Sequence, residues 1–466
     1  MGTYIFNITE FFQITVFLLM MYYAVISLFG LYKKKEDTNE DVPEKTFALI
    51  VAAHNEEMVV ENIVESLIGL DYPNDMYDVF VIADNCTDNT AKVARDAGAI
   101  VCERFAEGKN GKGYALDWMF KKIFSMKKKY DAVAIFDADN IVSRGFLREM
   151  DKSLKKGYKV VQGYLDSKNP NDSWITQSYS IAFWTSNRLF QLSRHNLGLS
   201  NQIGGTGFCV CTDVLKEIGW GATCLTEDLE FTCKLVLNNY KVGWAHNAVV
   251  YDEKPLTLRQ SWNQRRRWMQ GFADVSSRFF FKLMSKAFKD RDFTAFDTAL
   301  YTIQPFTIVA FGISSILSLI QNNSSGHYIF VINYLFSPLI WKVFSMFQFL
   351  FTPFITYIEK KISKGLFLVF AVYSSYVFVF DYLFKPGTDI MVIAAGHVIY
   401  FFAFLTLVFL FGKKKNAKMF VWYILYGLYT ITWIPITIQG ILNKNDKEWY
   451  HTKHTRQIKL DEIKSA

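Results

Sequence analysis

From Phe11 to Tyr32 the chain contains no charged residue, and from about Phe296 onward long apolar runs dominate again. About 20 such residues cross the hydrocarbon core of a bilayer, and backbone there must satisfy its own hydrogen bonds as helix or closed barrel. A chain of 466 residues built this way has to segregate, with helices in a membrane at both ends and something else between them. The composition agrees. At 51% apolar the chain is too greasy for a soluble enzyme, and at 20% charged it is too polar for a pure helical bundle. The basic residues Lys33-Lys34-Lys35 follow the first run instead of preceding it, so residues 1–32 are expected to be an uncleaved anchor whose C-terminal end is cytosolic. Lysines also flank later runs at Lys360-Lys361 and Lys413–Lys415, while Asn322–His327 carries no Lys or Arg. The net charge of +7 is thus a positive-inside pattern and not a nucleic-acid patch.

A multi-span region is expected over 296–442, with runs near 297–321, 329–358, 366–384, 390–411 and 419–442. Five crossings there would leave the tail 443–466 outside, although its basic character suits the cytosol. One run is therefore miscounted, through a break at Pro338 or through a last segment near Pro435 that does not cross. The expected location is the plasma membrane, with several spans and a cytosolic central domain. All six cysteines lie in the central block without a CxxC pair, so reduced core thiols are expected.

That block, residues 45–275, reads as alternating strands and helices. Phe47–Ala53, Asp78–Ala83, Ile100–Cys102 and Ala132–Phe136 are short apolar runs separated by helical patterns, which predicts a parallel sheet covered on both faces. Ligands bind such sheets beyond the carboxyl ends of the strands, and there the chain places His54-Asn55-Glu56, Asp84-Asn85 and Asp137-Ala138-Asp139. Residues 174–196 are aromatic and helical in pattern, suited to the domain or to a membrane surface. Gly204–Gly207 is a tight turn, and Thr226 is a natural N-cap for a helix reaching about Asn238.

Four groups carry chemistry. Asp137 and Asp139, two apart at a strand end, should point the same way and repel unless a cation such as Mg²⁺ or Mn²⁺ joins them to diphosphate oxygens; a solvated acidic turn is the alternative. Glu227 and Asp228 at a helix start either complement the helix dipole or include a general base. Asp84 could accept from a base's imide N–H, and Lys112 could neutralise a diphosphate. Gln264, Arg267 and Trp268 share one helical face, which suits Arg267 to hold a phosphate and Trp268 to offer its face to a sugar ring. Arg265 and Arg266 turn away, toward lipid headgroups or domain packing.

The order HNE (Glu56), ADNCTD (Asp84), GKGYAL (Lys112), DAD (Asp137, Asp139), TED (Asp228) and QRRRW (Gln264, Arg267, Trp268) resembles the motif set of membrane-bound family 2 glycosyltransferases. That group makes cellulose, hyaluronan, chitin and poly-N-acetylglucosamine. The resemblance implies an α/β GT-A (Rossmann-like) cytosolic domain inserted in an α-helical transmembrane bundle. It also implies a UDP-sugar donor contacted by Glu56 and Asp84, Mg²⁺ or Mn²⁺ on Asp137 and Asp139, and Asp228 as base beside Glu227. Lys112, Gln264, Arg267 and Trp268 would serve the diphosphate and the acceptor. The tail residues Trp449, Thr452, His454 and Arg456 loosely resemble a gating segment that closes over bound nucleotide. HNE stands where YNE is usual. Only 24 residues follow Leu442, so no cyclic-di-GMP-binding barrel is expected.

These features imply an inverting, processive enzyme that polymerises a β-glucan from UDP-glucose and passes it through its spans, where Gln304, Asn333, Gln348, Asp381, His397 and Gln439 could line a channel. The alternatives are a poly-N-acetylglucosamine or hyaluronan-type synthase, a non-processive lipid glycosyltransferase, and a membrane transporter with an inactive nucleotide-binding domain.

Overall fold

The computed structural model describes residues 2–34, 42–109, 111–221, 224–322, 337–385, 387–411, 414–445 and 456–463. The central block is built on one eight-stranded sheet in the order β3-β2-β1-β4-β7-β6-β8-β5. Its first half, β1 (Phe47–Ala53), β2 (Tyr77–Asp84), β3 (Ile100–Arg104) and β4 (Ala132–Asp137), is parallel throughout, as the alternating pattern predicts. Residues 47–51 and 132–136 are fully buried, which is why these strands show no polar alternation.

The second half differs from the expectation of a purely parallel sheet. It comprises β5 (Ile141–Val142), β6 (Val160–Ser167), β7 (Phe208–Cys211) and β8 (Val242–Asp252). β7 runs antiparallel between β4 and β6, whereas β6 and β8 are parallel to each other. At four residues β7 is too short to show a pattern of its own. Its place is fixed by backbone bonds from Gly207 N–H to Ile135 O and from Gly163 N–H to Gly207 O, each 2.8 Å. Gly163 sits at the register shift between β6 and β8, where a Cβ would come within 2.6 Å of the Ala248 carbonyl.

Two helices pack between this domain and the apolar helices. Trp174–Ser186 starts at a reciprocal capping box between Ser173 and Thr176 and continues through one π turn, Asn187–Leu192, into Ser193–Asn196. Leu258–Lys289 starts at a second such box, Thr257 with Gln260, and carries QRRRW in its second and third turns.

Among the described residues four helices are long and apolar enough to cross a membrane: Thr9–Leu28, Lys364–Leu383, Ile390–Leu410 and Ala417–Leu442. A fifth is counted if Phe293–Thr302 and Gln304–Leu317, bent by 64°, form one span, and Lys342–Ile358 is a shorter apolar helix. Buried ion pairs fasten these helices to the sheet domain. Arg194 grips Asp297 through two bonds of 2.8 and 2.9 Å, and Tyr22 OH donates to the same carboxylate at 2.7 Å. The turn after helix Pro338–Ile358 plugs into the domain. Glu359 accepts from Tyr164 OH at 2.8 Å and from Arg188 at 2.9 Å, while Lys361 pairs with Asp166. The last two helices, Lys414–Ile431 and Trp433–Leu442, touch the domain along their whole length. Lys418 donates to Asn171 O at 3.4 Å, Tyr429 lies 5.6 Å from Tyr179, Trp262 Nε1 donates to Gln439 at 2.8 Å, and Gln270 donates to Asn443 O at 3.0 Å.

Candidate active site

A cavity of about 1390 Å³ opens at the carboxyl ends of β1, β2 and β4. Glu56, Asp84, Lys112, Asp137, Asp139, Glu227, Asp228, Gln264, Arg267 and Trp268 all line it, so residues scattered over more than 200 positions converge on one space.

At the tips of the first two strands, His54 Nδ1 bonds to the Asp84 carbonyl at 2.7 Å and ties β1 to β2. Glu56 is buried, and its backbone N–H donates to Thr90 Oγ1 at 2.8 Å. Asp84 Oδ1 is held by Arg104, also buried, whose other terminal nitrogen donates to Lys109 O at 2.9 Å. Sequence reasoning missed Arg104. The signal was available in the strand register, because Arg104 ends β3 directly opposite Asp84 at the end of β2.

Asp137 closes β4, but Asp139 lies in the turn beyond it, where strand alternation no longer applies. The pair is held by the turn instead. Asp137 N–H donates to Asn140 Oδ1 and Thr206 Oγ1 at 3.2 and 3.1 Å, and Asp139 accepts from Asn140 Nδ2 and from Glu253 N–H, both at 3.1 Å. Asp252, at the end of β8, is a third carboxylate on the same wall, and the sequence analysis did not single it out. Burial, with Asp139 and Asp137 adding to it, pushes its carboxyl up to about 6 against the pull of Lys254, 2.6 Å away.

Lys112 opens its helix and reaches across to Asp137 and to the Gly205 carbonyl, the latter at 2.7 Å. Burial pulls its ammonium down, but Asp137, Glu227 and Asp228 more than reverse this and hold it above the ordinary lysine value. The carbonyl it uses is presented by Gly205, whose φ of +82° suits glycine and leaves only 3.6 Å between a Cβ and Asp228 Oδ2.

Glu227 and Asp228 are the first two residues of helix Glu227–Leu237. Thr226 occupies the N-cap position without capping through its side chain, contrary to expectation. Its side chain is instead wedged against Gly271 of the QRRRW helix, where a Cβ would fall 2.4 Å from Thr226 Oγ1 and Cγ2. This contact presses the two motif helices together. Burial, then the neighbouring Glu227, push the Asp228 carboxyl up to about 7, while Leu229 N–H donates to Oδ1 at 2.8 Å and opposes the shift. Glu227 is raised too, again by burial first.

On the QRRRW helix, Gln264 Oε1 accepts from Tyr179 OH at 2.9 Å, and Trp268 stands 6.1 Å from Tyr179 and 6.3 Å from Phe183. Arg267 faces the cavity, and among the described residues its Nε has no hydrogen-bond partner. Arg265 points the other way and is fully buried, its guanidinium 4.1 Å from the Tyr429 ring and 4.9 Å from Trp433. Of the two expected uses of Arg265, packing is realised and headgroup contact is not. The π turn supplies Asn187, Phe190 and Gln191 to the wall, and Tyr301 completes it from the first half of the bent pair.

Of the expected gating residues, Trp449, Thr452 and His454 lie outside the described residues. Arg456 N–H donates to Glu253 at 3.1 Å, and its carbonyl accepts from Lys168 at 3.0 Å. Its guanidinium is 3.7 Å from Asp172, and Gln457 reaches Met58 O at 3.0 Å. The tail thus runs along the rim of the cavity with its arginine turned outward. Of the expected channel residues, Gln304 lines the cavity, Gln439 is bonded to Trp262, Asp381 pairs with Lys342, His397 stacks on Phe380, and Asn333 lies outside the described residues.

Among the described residues no group of three or more His, Cys, Asp or Glu encloses a metal position. Asp137 and Asp139, with Asp252 crowding them, suit a divalent ion that takes its remaining ligands from diphosphate and water. The pairing of Lys112 with Asp137 shows that this wall accepts a positive charge.

Residues 43–271 match the family model described as "Glycosyltransferase like family 2". The chain is 30% identical over 247 residues to the "Beta-monoglucosyldiacylglycerol synthase" of Synechocystis sp., covering 49% of this chain and 48% of that protein. It therefore spans about half the length of the glucosyldiacylglycerol synthase it matches. A "Poly-beta-1,6-N-acetyl-D-glucosamine synthase" of Staphylococcus epidermidis is 26% identical over 59% of this chain and 68% of its own length. The "Probable glycosyltransferase YdaM" of Bacillus subtilis is 22% identical over 88% and 87%. Among solved structures, a mannosyltransferase from Pyrobaculum calidifontis, in complex with GDP-Man and Mn²⁺, superposes with a TM-score of 0.51 at 15% identity. That superposition covers 78% of this chain and 97% of that one, and the shared fold is GT-A.

Proposed function

We propose that this chain, whose residues 43–271 match the family 2 glycosyltransferase model, is an inverting enzyme that moves a hexose from a UDP-sugar to an acceptor hydroxyl at the cytosolic face of a membrane. UDP-glucose is the donor to test first, since the family resemblance implies it and the name of the Synechocystis relative refers to a glucosyl group. The observation that carries this reading is the placement of Asp228. It is a half-buried carboxylate with a raised pKa, in one cavity with Lys112, Arg267 and the Asp137/Asp139 pair.

In this reading Glu56 and Asp84, the latter braced by Arg104, receive the base of the nucleotide. Asp137 and Asp139 would hold Mg²⁺ or Mn²⁺, which would neutralise charge on the diphosphate. Lys112 and Arg267 add positive charge where the leaving group gathers negative charge. Gln264 and Trp268 shape the acceptor side. Asp228 takes the acceptor proton, and the oxygen displaces UDP from C1 in one step. No second carboxylate nucleophile is needed, so an α-linked donor gives a β-linked product.

The contacts support one membrane topology. Glu359, Lys361, Lys418 and residues 456–463 all meet the catalytic domain and share its side. Lys342 and Asp381 pair near the far ends of their helices. We therefore assign five crossings (the N-terminal helix, then 304–322, 338–358, 364–383 and 390–411), with 414–442 lying along the domain. This matches the second of the two resolutions that the sequence leaves open, and on this assignment the tail would be cytosolic.

The test is incorporation of radiolabel from a panel of sugar nucleotides by the purified protein in vesicles with Mn²⁺. Asp228→Asn should abolish transfer yet keep UDP affinity. Loss of UDP binding in that variant, or transfer undiminished, would remove Asp228 from the role of base.

A further inference from the structure

We infer that the acceptor is a neutral lipid alcohol drawn from the cytosolic leaflet, its hydroxyl at Asp228 and its acyl chains in an apolar arm of the same cavity; this rests on the transferase reading above. The arm is walled by Met20, Ile308, Phe311, Ile431 and Ile434, which come from three separate helices. Of these helices, Thr9–Leu28 and Ala417–Leu442 are long and apolar enough to cross a membrane, and Gln304–Leu317 is so together with Phe293–Thr302. Phe311 and Ile431 are more than half exposed, so the rim of the arm opens sideways, where hydrocarbon surrounds the protein.

A growing polysaccharide needs polar partners for several hydroxyls on each sugar, and leaving such groups unpaired costs about 1–3 kcal/mol apiece. Aliphatic walls do not supply them, whereas acyl chains ask for nothing else. Of the polar residues in the apolar helices, Asp381 is paired with Lys342 and Gln439 with Trp262, and the two that do line the cavity, Gln304 and Thr430, are too few for the hydroxyls of a polymer. Charge narrows the head of the lipid. Among the described residues lining the cavity, Lys112 and Arg267 are the only Lys or Arg, and both are assigned to the diphosphate end in the reading above. Beside Glu227 and Asp228 an anionic acceptor such as a polyprenyl phosphate would meet two carboxylates and no cation of its own, while an uncharged hydroxyl meets a base. In the step, the acceptor O–H proton passes to the Asp228 carboxylate, the oxygen bonds to C1, and the C1–O bond to the diphosphate breaks with its electron pair leaving on UDP.

The experiment uses the full chain in phosphatidylcholine/phosphatidylglycerol vesicles with Mn²⁺ and labelled UDP-glucose or UDP-GlcNAc. The vesicles contain dioleoylglycerol, undecaprenyl phosphate or no added acceptor. Label in a chloroform-soluble glycolipid only with dioleoylglycerol is the expected result. Label in a water-insoluble polymer that forms without an added acceptor, or in lipid only with undecaprenyl phosphate, overturns the neutral-lipid claim and leaves the transferase reading standing. No transfer from any sugar nucleotide, even with total membrane lipid added, overturns both. As an internal check, Ile308→Asp and Ile434→Trp, which charge or fill the arm, should cut glycolipid formation by roughly tenfold or more. Both should still bind UDP as the parent does, and unchanged glycolipid synthesis in two variants that bind UDP would also overturn the claim.

Discussion

At the scale of single residues the site is an arrangement of charges whose values depend on one another. As the proposed base, Asp228 would work only when ionised, and burial followed by Glu227 raises its carboxyl to about 7. It is therefore protonated in acid and gains its working form as the pH rises through that value. Expected is a kcat/KM that falls about tenfold per pH unit below roughly 7 and levels above it, measured by initial rates of UDP release. A flat profile between pH 5 and 8 would place the base elsewhere. The three arginines of QRRRW divide in the same residue-by-residue way. Arg267→Ala should lower turnover by about 10²–10³ with the fold intact, since it removes a charge from the leaving-group end. Arg265→Ala should instead cost about 2 kcal/mol or more of stability, because a desolvated guanidinium stacked on Tyr429 and Trp433 is lost. Activity assays and thermal unfolding on the same preparations separate the two effects. Equal catalytic losses with equal stability would reject the division.

At the scale of elements, what could be read from the sequence was whatever a local pattern encodes. The apolar runs of β1, β2 and β4 announced buried parallel strands, and their acidic ends announced the cavity, because burial on both faces leaves a continuous apolar signature. The 3.6 period put Gln264, Arg267 and Trp268 on one face, and the structure keeps them there. Three things were not legible, for physical reasons. β7 is set antiparallel by backbone bonds at Gly207 that carry no side-chain signal. Asp252 approaches Asp139 and Asp137 only through the register of β8, fixed far away at Gly163. Thr226 looks like a cap locally but is claimed by a tertiary contact, Gly271 of another helix. That contact makes a sharp prediction. Gly271→Ala puts a methyl group 2.4 Å from Thr226, whose β-branched side chain has little freedom to yield, so the QRRRW helix must move away from Glu227–Asp228. Transfer should fall by at least about tenfold while membrane insertion is normal, and Gly271→Ala combined with Thr226→Ser should recover part of it. Full activity of the single variant would show that the helices separate without consequence.

For the whole molecule, the domain and the membrane helices behave as one unit, because Asp297, Glu359 and Asp166 are buried anions of one part or the other, each held by a cation from across the border. Breaking such a pair strands the remaining charge, so these contacts resist relative motion more than they add net stability. The five-crossing assignment is testable at this scale. Cysteines placed at exposed Lys418 and Lys444 should both react with an impermeant maleimide in inside-out vesicles and in neither case in right-side-out ones. Labelling of the two from opposite sides would show that 414–442 crosses.

If the segment from 414 to 442 lies along the domain, it occupies one leaflet only. At 1.5 Å per residue it is about 40 Å long, with Leu428, Ile431, Ile438 and Leu442 exposed on one side while Phe420, Tyr429 and Ile436 pack on the protein. It thus adds area to the cytosolic leaflet and none to the other, the geometry of a wedge. Such an insert is accommodated most cheaply where small-headed lipids leave that leaflet loosely packed and curved. Membrane shape then becomes a variable that the enzyme experiences directly, through a helix that also contributes Ile431 and Ile434 to the wall of its own cavity.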